Sequence, residues 1–292
     1  MTTRRTFIQQ AGLLSTGLLI NPSVFLPKEK IVGLQLYSLR DVLPKDVKGT
    51  LAKVAKAGYK DLELYGYDHL KKSFFGYDAK AFKDIIASNG LKTTSGHYNP
   101  TDFMSGKGTA DLEAQIEAAK VMGHEHLIIP YLSDDLRTKL DDYKVFADRL
   151  NKAGELCKKS GLQLAYHNHD FELKNWGDTT GLDIALQETD KNLVDFELDL
   201  YWVVRAAKDP VKYFQKYPGR FKAWHVKDMD KTNRDLNTEI GSGSIDYKRI
   251  FSYAKVAGVQ HYFMEQENFV GNIDPFTSIT KSCKYIKTSL LK

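Results

Sequence analysis

Only two cysteines, Cys157 and Cys283, occur in the 292 residues, so covalent cross-linking contributes at most one disulfide. The basic excess is also small: 42 Lys and Arg against 37 Asp and Glu leave a net charge of +5. These basic residues are scattered, with no basic stripe carrying interleaved aromatics, which argues against a nucleic-acid surface. There is no apolar run long enough to span a bilayer core of about 30 Å. No linker or low-complexity tract divides the chain, and no Gly-x-Gly-x-x-Gly turn follows the first expected strand, as an open dinucleotide-binding sheet would require. A composition of 42% hydrophobic and 27% charged residues excludes general disorder and suits one folded core.

The N-terminus has its own character. Thr3-Arg4-Arg5-Thr6-Phe7-Ile8 precedes a mildly apolar stretch over residues 11–20. Paired arginines before a short apolar run read as a twin-arginine-type export signal, with removal somewhere in residues 21–30. Residues 1–30 are therefore expected to be signal and short linker, and the mature protein periplasmic or exported, with no stable membrane insertion.

From residue 31 onward, short β-rich runs alternate with longer amphipathic ones. The expected strands cover residues 31–37, 59–65, 91–97, 125–131, 162–169, 193–199, 221–227 and 259–265. Stretches such as 47–57 and 112–122 between them carry apolar residues at helical spacing. Gly58, Gly90, Gly123, Gly161 and Gly258 stand just before strands, where a helix C-cap belongs. Strand–helix alternation implies a parallel sheet, and eight units imply closure. The expected fold is α/β, a single-domain (β/α)8 TIM barrel over residues 31–292. Cys157 and Cys283 then fall on the fourth and eighth outer helices, too far apart to pair, and are expected as buried free thiols.

Side chains alternate along a strand. Val194, Phe196 and Leu198 would face the helices, leaving Asp195, Glu197 and Asp199 inward. The same parity turns His167 and His169 inward from the fifth strand, and Glu265 and Glu267 from the eighth. His167, Asp199, His225 and Glu265 thus meet at the C-terminal rim, a mixed His and carboxylate set suited to one divalent metal ion: Mn²⁺, Zn²⁺ or, less well with histidine present, Mg²⁺. Burying these groups together without a cation would cost several kcal/mol. His124, His126 and His261 start strands and are expected to be structural. Tyr37, Glu63, His97 and Trp202 lie at the rim and are expected to line the substrate pocket. Gly241-Ser242-Gly243-Ser244 after strand seven occupies a place where barrels hold phosphate, although Gly-Ser stretches also make turns and N-caps.

These pieces together resemble the sugar phosphate isomerase/epimerase family, the xylose isomerase-like barrels that include endonuclease IV, tagatose and psicose 3-epimerases and inosose dehydratase. The resemblance rests on residues 33–40, Tyr166-His-Asn-His-Asp170, Glu197-Leu-Asp-Leu-Tyr-Trp202, His225-Val-Lys-Asp228, residues 241–246 and Glu265-Gln-Glu267. It implies a metal held by Glu, Asp, His and Glu from strands five to eight, and these map to His167, Asp199, His225 and Glu265. The first position departs, since histidine replaces glutamate. In the epimerases the two glutamates move a proton beside a carbonyl from opposite faces, so symmetrical two-base chemistry is put in question here. His169 then becomes the base, Glu265 the acid, and Lys227 a cation that contacts substrate and neutralises oxyanion charge. The resemblance implies a sugar or keto-sugar substrate, with isomerisation or epimerisation as first choice and β-elimination from a 3-keto-glycoside or keto-inositol as the alternative. A non-enzymatic sugar-binding barrel is the third reading. A phosphodiesterase would need more ligands and a DNA-facing basic surface. An assembly of identical copies is compatible with all of these.

Overall fold

The structure, a computed structural model, describes residues 31–291 apart from 270 and 272. The arginine pair and apolar run of the expected export signal lie outside the described residues.

Among the described residues, eight parallel strands close into a barrel. They are β1 (Gly33–Gln35), β2 (Asp61–Leu64), β3 (Lys92–His97), β4 (His126–Ile129), β5 (Gln163–His167), β6 (Val194–Asp199), β7 (Phe221–Val226) and β8 (His261–Met264). Each pairs with its neighbours in sequence, and β1 closes on β8 through Gly33↔Phe263 and Leu34↔Met264. That closure needs glycine at residue 33: a Cβ there would stand 2.3 Å from the Phe263 ring.

The principal outer helices are α1 (Val47–Lys56), α2 (Ala79–Ser88), α3 (Ala110–Met122), α4 (Leu140–Lys159), α5 (Gly181–Glu188), α6 (Pro210–Lys216), α7 (Tyr247–Phe251) and α8 (Pro275–Tyr285). Asp46, Asp78, Thr180, Asp209, Asp246 and Asp274 start six of them by accepting a backbone N–H of the first turn, which satisfies a donor the helix itself cannot. The five expected pre-strand glycines all adopt positive φ. Leu164, Tyr166, Val194, Phe196, Leu198, Trp224 and Met264 are buried in the hydrophobic core, as the alternation requires. Burial of this apolar layer holds the barrel closed. Both cysteines are buried and free, on α4 and α8.

Every expected strand is present but shorter than its apolar pattern, and after β1 and β5 polar side chains take over the ladder at the rim. After β1, the Gln35 side chain accepts the Tyr37 N–H at 3.0 Å and the chain turns into a 3-10 helix, Leu36–Leu39. After β5, Asn168 Oδ1 accepts the Asp199 N–H at 3.1 Å, and Glu172 accepts the His169 N–H at 2.9 Å. His169 therefore stands on the turn beyond β5, where strand alternation no longer sets the direction of its side chain. Small antiparallel hairpins follow β2, β5 and β7 on the same rim. At the opposite end His124 meets Thr93 and Tyr98, His126 meets Asp195, and His261 meets Glu125. These three histidines are structural, as expected.

Candidate active site

β6 ends on Asp199, which caps the short helix Leu200–Arg205. Its Oδ1 accepts N–H bonds from Tyr201 at 2.9 Å and Trp202 at 3.1 Å, so the carboxylate is held rigidly. Its Oδ2 is buried without a hydrogen bond, 3.8 Å from His225 Nδ1 and 3.9 Å from His167 Nε2. His225, on β7, places Nδ1 3.2 Å from Glu265 Oε2. Lys227, just past β7, sets Nζ 2.7 Å from Glu265, 2.6 Å from Glu267 and 3.2 Å from Asp199 Oδ2, the last without hydrogen-bond geometry.

On its other side His225 enters a second layer. Its Nε2 stands 2.5 Å from Glu63 Oε2 and 3.1 Å from Glu197 Oε2. Glu197 also meets His97 at 2.8 Å and His167 at 3.1 Å. Gln35 and Ser95 donate to Glu63 at 2.8 and 2.7 Å.

Burial alone would neutralise these groups; their mutual charges decide which stay ionised. For Glu63, burial pushes the carboxyl up, but His97 and His225 outweigh it and hold it well below its usual range. Burial and then the Glu63 charge lift Glu197 to about 7. Burial pulls His97 down, yet Glu63 and Glu197 raise it to about 9. His225 and Lys227, both opposed by burial, are kept charged by the carboxylates around them. Burial raises Asp199, with Lys227 and His225 opposing. Burial, with His225 nearby, drives His167 well below its ordinary value. Burial and then Lys227 bring His169 to about 3, so its ring is uncharged at neutral pH.

Among the described residues, two groups bring three or more potential ligand atoms within 4.8 Å: Asp199, His225 and Glu265, and His97, His167, Glu197 and His225. The second is largely satisfied by its own His–Glu contacts. The first fits a divalent ion better, because the donors are two carboxylates and an imidazole and one oxygen, Asp199 Oδ2, has no hydrogen bond. His167 borders that group: its Nδ1 meets Glu197, which leaves Nε2, 3.9 Å from Asp199 Oδ2, as a further nitrogen on the same side.

A cavity of about 480 Å³ opens above this floor. Tyr37, His97, His167, His169, Trp202 and Glu265 line it, as do Tyr65, Asn99, Tyr131 and Glu267. His169 Nδ1 and Trp202 Nε1 are buried there without partners.

Three expectations change. Glu63 is wholly buried with both oxygens engaged, so it supports His97 and His225 and does not contact substrate. Glu265, expected as the acid, is opposed by burial yet held below its ordinary range by Lys227 and His225, so it stands ionised beside them. The Gly-Ser loop holds no open anion cup: the N–H groups of Gly241, Gly243 and Ile245 all donate to Asp228. Lys227 is 1% exposed and lies behind the cavity wall. Glu197 received no role from the sequence, although its inward parity two residues before Asp199 is the signal that marks it. Glu267 is a similar omission.

A family model described as a xylose isomerase-like TIM barrel matches residues 51–288. Inosose dehydratase of Clostridium perfringens is 26% identical over 205 residues, covering 64% of this chain and 67% of that protein. Inosose dehydratase of Clostridium beijerinckii is 23% identical over 274 residues, covering 81% and 87%. The crystal structure of a sugar phosphate isomerase/epimerase from Parabacteroides distasonis superposes with a TM-score of 0.80 at 30% identity, covering 92% of this chain and 97% of that one.

Proposed function

The chain belongs to the xylose isomerase-like TIM barrel family, and from that premise we propose that it is an enolising enzyme. It removes the proton beside the carbonyl of a sugar or cyclic keto-polyol and then expels a β-hydroxyl or β-alkoxyl group. The observation that carries this reading is the asymmetry of the cavity. One wall residue, His169, is an uncharged imidazole with an unpartnered Nδ1; another, His97, is protonated at neutral pH. A single base with a separate acid suits elimination, whereas epimerisation uses a matched pair.

His169 Nδ1 takes the C–H proton, and the C–H electrons form the enolate. His169 gains basicity as negative charge develops beside it. The enolate electrons then form the α,β double bond, the carbonyl is restored, and the departing oxygen takes a proton from His97. Lys227 supplies positive charge near the developing oxyanion. Asp199, His225 and Glu265, with His167 Nε2 beside them, would hold a divalent ion, Mn²⁺ or Zn²⁺ fitting this donor set better than Mg²⁺, and such an ion when bound supplies Lewis acidity at the carbonyl oxygen. Trp202 and Tyr37 offer ring faces to a sugar.

The dehydratase name of the curated relatives supports elimination. Epimerisation is the second reading, favoured by the isomerase/epimerase name of the Parabacteroides protein. Incubation with an inosose or a 3-keto-glucoside in D₂O separates them by NMR. Elimination releases water or aglycone and yields an unsaturated ketone; epimerisation places deuterium on an otherwise intact substrate. His169→Gln is expected to cut either rate by roughly 10²–10⁴-fold with metal content unchanged. Turnover at the wild-type rate in that variant removes His169 from the chemistry.

A further inference from the structure

The group that would take a divalent ion already contains a cation. Lys227 Nζ stands 2.7 Å from Glu265 Oε2 and 3.2 Å from Asp199 Oδ2, the two carboxylates of the three-residue group. Its remaining acid partner, Glu267 Oε1 at 2.6 Å, lies outside that group and lines the cavity. The three attachments are unequal: Nζ lies within 2.6–2.7 Å of Glu267 and Glu265 but 3.2 Å from Asp199 Oδ2, which has no hydrogen bond.

An ammonium and a divalent ion cannot share these oxygens without strong repulsion. Such ions sit about 2.0–2.2 Å from their ligand oxygens, so an ion on the oxygens that Nζ already contacts would be held a few ångströms from the ammonium, and like charges that close in a buried site are poorly screened. The lysine stem is long and flexible. The Tyr201 and Trp202 rings lie 5.6 and 5.4 Å from Nζ, offering favourable faces to a displaced cation.

We propose that Lys227 is an exchangeable counter-ion: it neutralises Asp199 and Glu265 when no metal is bound, and metal loading transfers its ammonium to Glu267 at the cavity wall. The inference rests on the metal assignment made above. It makes Lys227 a positioning residue for metal in one state and a cation presented to substrate in the other. Metal loading and the arrival of positive charge beside the substrate are thereby one event.

The test is calorimetric titration of the metal-free, full-length protein with MnCl₂ and with ZnCl₂, without substrate. Lys227→Met removes the competitor and is expected to tighten binding at least tenfold; Lys227→Gln serves the same purpose should the methionine variant not fold. Glu267→Gln removes the receptor and is expected to weaken binding severalfold in the wild-type background, but to have no effect in the Lys227→Met background. Equal or weaker metal binding by both Lys227 variants overturns the exchange while leaving the metal site in place. Weakening by Glu267→Gln of equal size in both backgrounds makes Glu267 a ligand and overturns the transfer. Absence of binding in the wild type and in both Lys227 variants removes the metal assignment itself, and the exchange with it. As a readout independent of affinity, thermal unfolding of metal-free Lys227→Met should occur below the wild type and recover more than the wild type on adding Mn²⁺.

Discussion

Glu63 is wholly buried yet ionised, because two imidazoles reach its Oε2 at 2.5 and 3.1 Å while Gln35 and Ser95 supply neutral hydrogen bonds. Removing one member of a buried charge pair leaves the other uncompensated, which costs more than the pair contributes. Glu63→Gln is therefore expected to destabilise the protein by about 3–5 kcal/mol, measured by urea unfolding at neutral pH. A loss below 1 kcal/mol would mean that His97 and His225 do not depend on this carboxylate for their charge. The same logic explains why Glu197 and Glu63 differ despite similar burial. They share the same histidines, and two adjacent carboxyls cannot both ionise freely.

At the scale of single elements, the segments leaving the strands are built around internal carboxylates. Asp228 receives three backbone N–H groups from residues 241, 243 and 245, in the place where related barrel architectures bind anions. Asp228→Ala should cost about 1–3 kcal/mol for the donors left unpaired. Millimolar sulfate should then raise the melting temperature of the variant but not of the wild type; an equal response in both would show that the loop is open already. The turn after β5 is held by Glu172, which accepts bonds from the Tyr166 hydroxyl and the His169 N–H. Burial lifts its carboxyl from 4.5 to about 7. A raised carboxyl pKa means that the folded state holds the proton more tightly, so its contribution is full below pH 4.5 and is lost as pH rises through 7. The melting temperature of the wild type relative to Glu172→Gln should accordingly fall between pH 5 and pH 8. The underlying change is on the order of 3 kcal/mol, and a difference that stays flat with pH would refute it.

At the scale of the whole molecule, closure of the barrel is what makes the site. Glu63 and His225 are 162 residues apart in sequence and hydrogen-bonded in space. Among the described residues no helix is long and apolar enough to cross a membrane. We propose that residues 1–30 direct export of the folded barrel, since an enzyme that must load an ion benefits from folding first. Replacing Arg4 and Arg5 by lysine is expected to retain the protein inside the cell, as cell fractionation would show; unchanged export would exclude a twin-arginine route.

Much of this architecture was legible in the residues. Period-two alternation in Asp195, Glu197 and Asp199, pre-strand glycines and regularly spaced amphipathic stretches determine strands, helices and an inward polar face, because these are local consequences of backbone geometry. They also place His167, Asp199, His225 and Glu265 on one rim. What alternation cannot assign is a partner. It says that Glu63 and Glu265 both point inward, not that one is consumed by imidazoles and the other faces a cavity. Nor does it reveal that Lys227 reaches Asp199 or that His169 sits on a turn. Those outcomes depend on which strand stands opposite which, at what register, once the last strand meets the first. That information is long-range, set by closure and packing, and only the tertiary structure decided it.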